Sequence, residues 1–196
     1  MKKILCVIDM QNDFVSGALA NKNAQAIVSY VVEKVRSAAA RADTTIFFTQ
    51  DTHSRDGEFF PEQQKYLPAY LQTQEGRKLP IEHCIFKTWG WEIIDELQPF
   101  LNLDCMRIYQ KYAFGGYEMA AAVSKITNSW ESKNDEIEIV GLCTDICVIA
   151  NAFVLKALNP NTPIVIDAKG CAGVTMESHA NAIKAMQACQ FEIRNQ

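Results

Sequence analysis

The sequence predicts a three-layer α/β fold built on a doubly wound, six-stranded, mostly parallel sheet. Three observations carry this. Apolar runs of strand length alternate with segments of helical spacing along the whole chain. The runs are nearly continuous in apolar character, as strands buried on both faces are. At 196 residues with 48% hydrophobic content, the chain has the size of one domain with a good core, spanning residues 1–196.

Each element is read in order. Ile4 to Ile8 is the first strand, and Ala24 to Arg41 a helix with apolar residues at Ile27, Val31, Val35 and Ala38. Thr44 to Thr49 is the second strand. Residues 51–89, with Pro61, Pro68 and Pro80, read as a long irregular connection, and loops of that length in compact domains are usually functional. A short helix from Trp91 to Leu97 leads to the third strand, Met106 to Gln110, and a helix from Tyr117 to Trp130. The fourth strand, Glu136 to Val140, is followed by a helix from Ile146 to Leu158. The fifth, Pro163 to Asp167, is followed by a helix from Met176 to Cys189 and a last short strand, Phe191 to Arg194.

Composition excludes several function classes. The net charge is −4 with mixed signs and no basic-aromatic stripe, which argues against nucleic acid as a partner. Apolar runs are too short to span a membrane. The apolar start stops at Ile8 before Asp9 and reads as a buried strand rather than a signal peptide. Seven cysteines without C-x-x-C spacing read as thiols in a reducing cytoplasm, mostly small core residues.

Doubly wound sheets place their sites beyond the carboxyl ends of the strands, where strand order reverses. Strand one ends at Asp9, in Ile8-Asp9-Met10-Gln11-Asn12-Asp13-Phe14. Strand two gives Asp51-Thr52-His53, strand three Lys111, and strand four Gly141-Leu142-Cys143-Thr144-Asp145-Ile146-Cys147. Singly, each is as readily a loop cap or a solvated charge. Jointly, acid, imidazole, amine and thiol converge on one sheet edge. With Thr144 or Asp145 as N-cap, Cys147 lies in the first turn of a helix, whose free amides and dipole favour a thiolate. Cys143, at the strand end, is the rival nucleophile, and Cys171, placed after strand five, a weaker one.

The segment GLCTDICVIANAF resembles the signature of the cysteine hydrolases of the isochorismatase-like superfamily, which includes the nicotinamidases, and IDMQNDF resembles that family's first-strand motif. The resemblance implies an isochorismatase-like, Rossmann-like fold and a catalytic set of Asp9, Lys111 and Cys147. Asp9 would shuttle the proton, Lys111 would hold the two acids, and Cys147 would form an acyl-enzyme. It further implies a cis Leu142–Cys143 peptide, with the amides of Cys143 and Cys147 as oxyanion hole. Relatives that cleave isochorismate lack this cysteine, which disfavours vinyl-ether chemistry here.

The resemblance also implies a divalent metal, zinc first and iron or manganese next, held by Asp51, His53 and His83. Without it, the two histidines read as hydrogen-bonded loop residues. Glu75 is a candidate extra carboxylate. Thr52, where nicotinamidases usually carry tryptophan, and the long stretch before His83 depart from the family pattern, as does Tyr112 beside the lysine. Phe14, Trp89 and Phe114, with Trp91 and Tyr112, are candidates for an aromatic substrate pocket, although such residues are more often core. His179 has no assigned role.

The function implied is hydrolysis of a small C–N amide, with nicotinamide to nicotinate and ammonia first. The same three residues acting on another amide, carbamoyl or ureido compound is the alternative. A non-hydrolytic redox or interaction protein is the alternative from another class. The family's habit implies a homo-oligomer, a dimer or larger.

Overall fold

The computed structural model describes residues 2–61, 64–130, 132 and 134–196. Six strands form one parallel sheet: β1 (Lys3–Ile8), β2 (Thr44–Asp51), β5 (Met106–Lys111), β6 (Glu136–Leu142), β7 (Ile164–Ala172) and β8 (Glu192–Arg194). Their order is β5-β2-β1-β6-β7-β8, so the direction of winding reverses between β1 and β6. Helix α2 (Lys22–Ala39) covers one face, and α4 (Tyr117–Thr127), α5 (Ile149–Leu158) and α6 (Met176–Ala188) cover the other. Strand alternation feeds both layers. Ile4, Cys6 and Ile8 of β1 enter one core cluster, while Leu5 and Val7 enter the other. The predicted six-stranded α/β architecture is thus the one observed.

Charge is buried on the α2 side. Glu138 and Asp167, from β6 and β7, meet Lys34 of α2, and Lys3 reaches Glu136 and Glu138 at 3.1 and 2.8 Å. Tyr30 and Asn195 complete the shell of Asp167.

Three expectations are corrected. The connection from 51 to 89 is not structureless. It holds an antiparallel hairpin, β3 (Glu58–Phe60) with β4 (Lys65–Leu67), and a short helix α3 (Gln74–Lys78). Elements of three to five residues are too short to register as periodicity in sequence. The Trp91–Leu97 helix is instead two 3-10 turns, Trp89–Trp91 and Asp95–Phe100, the second containing Pro99. Strand β7 runs on through Ala172, past the predicted end at Asp167, because Gly141 and Leu142 pair with Cys171 and Ala172 after a register shift.

Candidate active site

The carboxyl ends of β1, β2, β5 and β6 bring Asp9, Asp51, Lys111 and the Cys147 turn to the point of reversal. Lys111 is 1% exposed, so its ammonium must find its partners inside. Its Nζ lies 2.8 Å from Asp9 Oδ2, 3.0 Å from Asp51 Oδ1, 3.2 Å from the Ala113 carbonyl and 3.4 Å from Cys147 Sγ. Asp9 Oδ1 accepts from the Thr49 hydroxyl at 2.6 Å. The three residues expected to act together are in mutual contact.

Their electrostatics differ. Burial, reinforced by the charge of Asp51, raises the Asp9 pKa against the pull of Lys111. Burial also raises the Cys147 thiol well above its usual value, with Lys111 opposing. Burial works against Lys111 as a cation, yet Asp51 and Asp9 outweigh it and hold the ammonium charged. Burial likewise opposes the Asp51 carboxylate, but Lys111 and His53 keep it ionised below the usual range.

Cys147 sits in a wide π-helical turn, Thr144–Val148, that leads into α5. The Leu142–Cys143 peptide is cis. The Cys143 carbonyl accepts from the amides of Ile146 and Val148, at 3.0 Å each. Neither expected N-cap is realised, since the Thr144 side chain is drawn to α6 and that of Asp145 to the segment before it. The Thr144 hydroxyl lies 2.8 Å from His179 Nδ1, and Asp145 Oδ1 accepts from the Val174 amide at 3.1 Å. His179, without a role in the sequence, therefore braces this turn. Of the rival thiols, Cys143 borders the same cavity and is likewise pushed up, to about 12, by burial first and then by Asp145 and Asp9, and the contact with the Lys111 ammonium is what sets Cys147 apart. Cys171 lies within β7 and is buried in the core, not in a loop after the strand.

Beside this trio stands a second group. One ligand atom each from Asp51, His53, Glu75 and His83 lie within 4.8 Å of one another. Asp51 Oδ2 is 3.1 Å from His53 Nε2, and Glu75 Oε1 is 3.8 and 3.7 Å from the Nε2 atoms of His53 and His83. His83 Nδ1 lies 2.9 Å from the Ile81 carbonyl, which leaves Nε2 facing the group. Glu75 arrives on α3. Thr73 caps that helix through the Gly76 amide, and Gly76 packs so tightly that a Cβ there would lie 2.1 Å from the Tyr70 carbonyl oxygen. Two imidazoles and two carboxylates suit a divalent ion.

The first-strand motif builds this loop. Gln11 donates to the Asp51 carbonyl and accepts from the Asp51 amide, at 2.9 and 2.7 Å. Asp13 Oδ2 accepts from the Cys84 amide, next to His83, at 2.7 Å. Neither role could be read from sequence, because both partners are distant along the chain.

A cavity of about 560 Å³ opens onto both groups. Phe14, Tyr112, Phe114, His53, His83 and Cys147 are among its lining residues. Trp89 is not among them. It is 55% exposed, and its carbonyl serves instead as the acceptor for Asn12. Trp91 is likewise structural, packed on Phe86 with its Nε1 donating to Thr52 Oγ1 at 2.9 Å. The aromatic pocket therefore rests on Phe14, Phe114 and Tyr112.

A doubly wound sheet with one thiol set against an ammonium and a carboxylate at its reversal point is the arrangement of a cysteine hydrolase. The isochorismatase domain family matches residues 3–195, and the chain belongs to that family. Among its relatives, the nicotinamidase of Saccharomyces cerevisiae is 27% identical over 188 residues, covering 84% of this chain and 86% of the yeast protein. The crystal structure of nicotinamidase/pyrazinamidase from Bacillus subtilis superposes with a TM-score of 0.75 at 25% identity, over 100% of both chains. That of pyrazinamidase from Pyrococcus horikoshii in complex with zinc shares the fold, with a TM-score of 0.70 at 23% identity over 100% of both chains.

Proposed function

We propose that the chain hydrolyses nicotinamide to nicotinate and ammonia through a thioester on Cys147. The observation that carries this reading is the contact of Cys147 Sγ with Lys111 Nζ at 3.4 Å, with Asp9 Oδ2 2.8 Å from the same ammonium. Asp9 takes the thiol proton as sulfur attacks the amide carbon. Its raised pKa makes it a better base than a free carboxylate. Backbone amides at Cys143 and Cys147 receive the carbonyl oxygen as it gains charge. The C–N bond then breaks, Asp9 returns the proton to the departing nitrogen, and ammonia leaves a thioester. Asp9 next takes a proton from water, whose oxygen attacks the thioester carbon. The C–S bond breaks, Asp9 gives its proton to sulfur, and the carboxylic acid leaves and ionises in solvent to the carboxylate. Lys111 stays charged throughout and compensates whichever acid is ionised.

Asp51, His53, Glu75 and His83 would hold a divalent ion, zinc by the chemistry of these donors. Such an ion supplies a Lewis acid with open positions that can orient a ring nitrogen. Phe14, Tyr112 and Phe114 give the ring an apolar wall. A homo-oligomer fits the exposure of Trp89 in the apolar loop 84–91, and a monomer in light scattering at micromolar concentration would overturn that part.

A second reading keeps the same three residues for another small amide, carbamoyl or ureido compound. Tyr112 and the size of the cavity favour it. Ammonia release from a panel of nicotinamide, pyrazinamide, benzamide and N-carbamoyl amino acids decides. Preference for nicotinamide supports the first reading, and turnover of carbamoyl compounds alone replaces it with the second.

A further inference from the structure

Asn151 is fully buried in α5, one turn beyond the thiol, and makes three hydrogen bonds. Its Nδ2 donates to the Cys147 carbonyl at 2.8 Å and to the Phe114 carbonyl at 3.0 Å. Its Oδ1 accepts from the Gly116 amide at 2.9 Å. The loop it grips is the one that follows Lys111, and the Ala113 carbonyl of that loop in turn accepts from Lys111 Nζ at 3.2 Å. One side chain therefore ties the turn bearing the nucleophile to the loop whose carbonyl receives the ammonium. Gly116 lets the loop close on it, since a Cβ there would sit 3.2 Å from Asn151 Oδ1.

We infer that Asn151 is a positioning residue that sets the spacing between the Cys147 thiol and the Lys111 ammonium. The inference rests on Cys147 being the nucleophile. The chemistry requires a primary amide at this point. Two carbonyls need donors and one amide needs an acceptor, and among uncharged side chains only Asn and Gln supply both donors and the acceptor from one planar group. Gln is one methylene longer and has no room in a fully buried site. Loss of the tie would let the two segments relax independently, and displacement of reacting groups by an ångström is worth up to about 100-fold in rate.

The test uses Asn151→Ala, Asn151→Asp and Asn151→Thr with wild type and Cys147→Ala. Asp preserves shape and the acceptor but removes both donors. A Thr hydroxyl keeps one donor and one acceptor. Measured are kcat and KM for nicotinamide, the rate of iodoacetamide alkylation of Cys147, and bound metal. Expected are a fall in kcat of about 10–100-fold for Ala and Asp, a KM within about twofold of wild type, and an intermediate kcat for Thr. Alkylation should change by at least about threefold while metal content holds, because the hydrogen bonds of Asn151 go to Cys147, Phe114 and Gly116 and not to the Asp51–His53–Glu75–His83 group. Wild-type kcat in Asn151→Ala would overturn the inference. So would a parallel loss of kcat, metal and folded fraction, which marks a purely structural residue. If Asn151→Ala does not fold, Asn151→Thr carries the same decision. Turnover by Cys147→Ala would instead bring down the nucleophile reading itself, whatever the Asn151 variants do.

Discussion

Asp51 and Lys111 lie 3.0 Å apart, and the second oxygen of the same carboxylate lies 3.1 Å from His53. Asp51 therefore belongs to both groups at once. One oxygen helps hold the ammonium beside the thiol, and the other faces the two imidazoles. Lys111→Met should leave Asp9 and Asp51 as neighbouring buried acids without their cation. Expected are a loss of about 3–5 kcal/mol in stability and a fall in turnover of at least 100-fold. Lys111→Arg should not restore activity, since a planar guanidinium cannot meet Asp9, Asp51 and sulfur from one nitrogen. Urea denaturation and steady-state kinetics check both points. A Lys111→Arg enzyme at wild-type rate would contradict this account.

Cys147 and Cys143 border the same cavity, so their variants separate them. Cys147→Ala is expected to abolish turnover, and Cys143→Ala to retain a measurable part of it, because the role proposed for Cys143 is that of a backbone amide, which alanine keeps. Peptide mapping after brief iodoacetamide treatment should find the label on Cys147 ahead of Cys6 and Cys171, because all three are buried but of these Cys147 alone lines the cavity. Preferential labelling of Cys171 would place the reactive centre elsewhere.

The acid and imidazole group gives a separate prediction. His53→Ala and His83→Ala each remove one donor of four and should lower metal affinity by at least about 100-fold, with nicotinamide turnover falling in step. Glu75→Gln keeps an oxygen and removes a charge, and its loss should be smaller. Cys147 labelling should survive in all three. Elemental analysis after dialysis against a chelator measures the first effect. Wild-type protein that carries no zinc, iron or manganese, and gains nothing when they are added, would remove the metal from this reading.

The charged layer under α2 predicts how stability follows pH. Burial raises the Asp167 pKa, but hydrogen bonds from Lys34, Asn195 and Tyr30 outweigh it and leave the net value lowered. A lowered acid stabilises the fold above its unfolded value near pH 4, and that contribution fades as pH falls through the folded value. Burial opposes the Lys34 ammonium, while Asp167 and Glu138 raise its pKa overall. Its contribution is complete below its unfolded value, about 10.4, and is lost as pH rises through the higher folded value. Lys34→Met should cost about 3 kcal/mol at pH 7, lower Tm by roughly 6–12 °C, and flatten both limbs of the profile. A variant with an unchanged Tm–pH curve would show that the network adds no net stability.

Much of this protein is legible in sequence because its strands are buried on both faces. Burial of that kind writes itself as short apolar runs, and a doubly wound sheet then assigns whatever follows each run to one edge. Asp9, Asp51, Lys111 and the Cys143–Cys147 turn were all placed that way, and the isochorismatase-family motifs narrowed them to one chemistry. Tertiary structure decided what has no local period. The path from 51 to 89 depends on partners far along the chain, such as Asp13 for the Cys84 amide and Gln11 for both backbone groups of Asp51. Those bonds hold the ends of the path that carries α3 and Glu75 to the histidines, while His179 and the Val174 amide draw Thr144 and Asp145 away from capping. The grip of Asn151 on Phe114 and Gly116 is of the same kind. Hydrophobic periodicity records which side of an element is buried, while a hydrogen bond across 35 residues leaves no mark on the spacing of either partner.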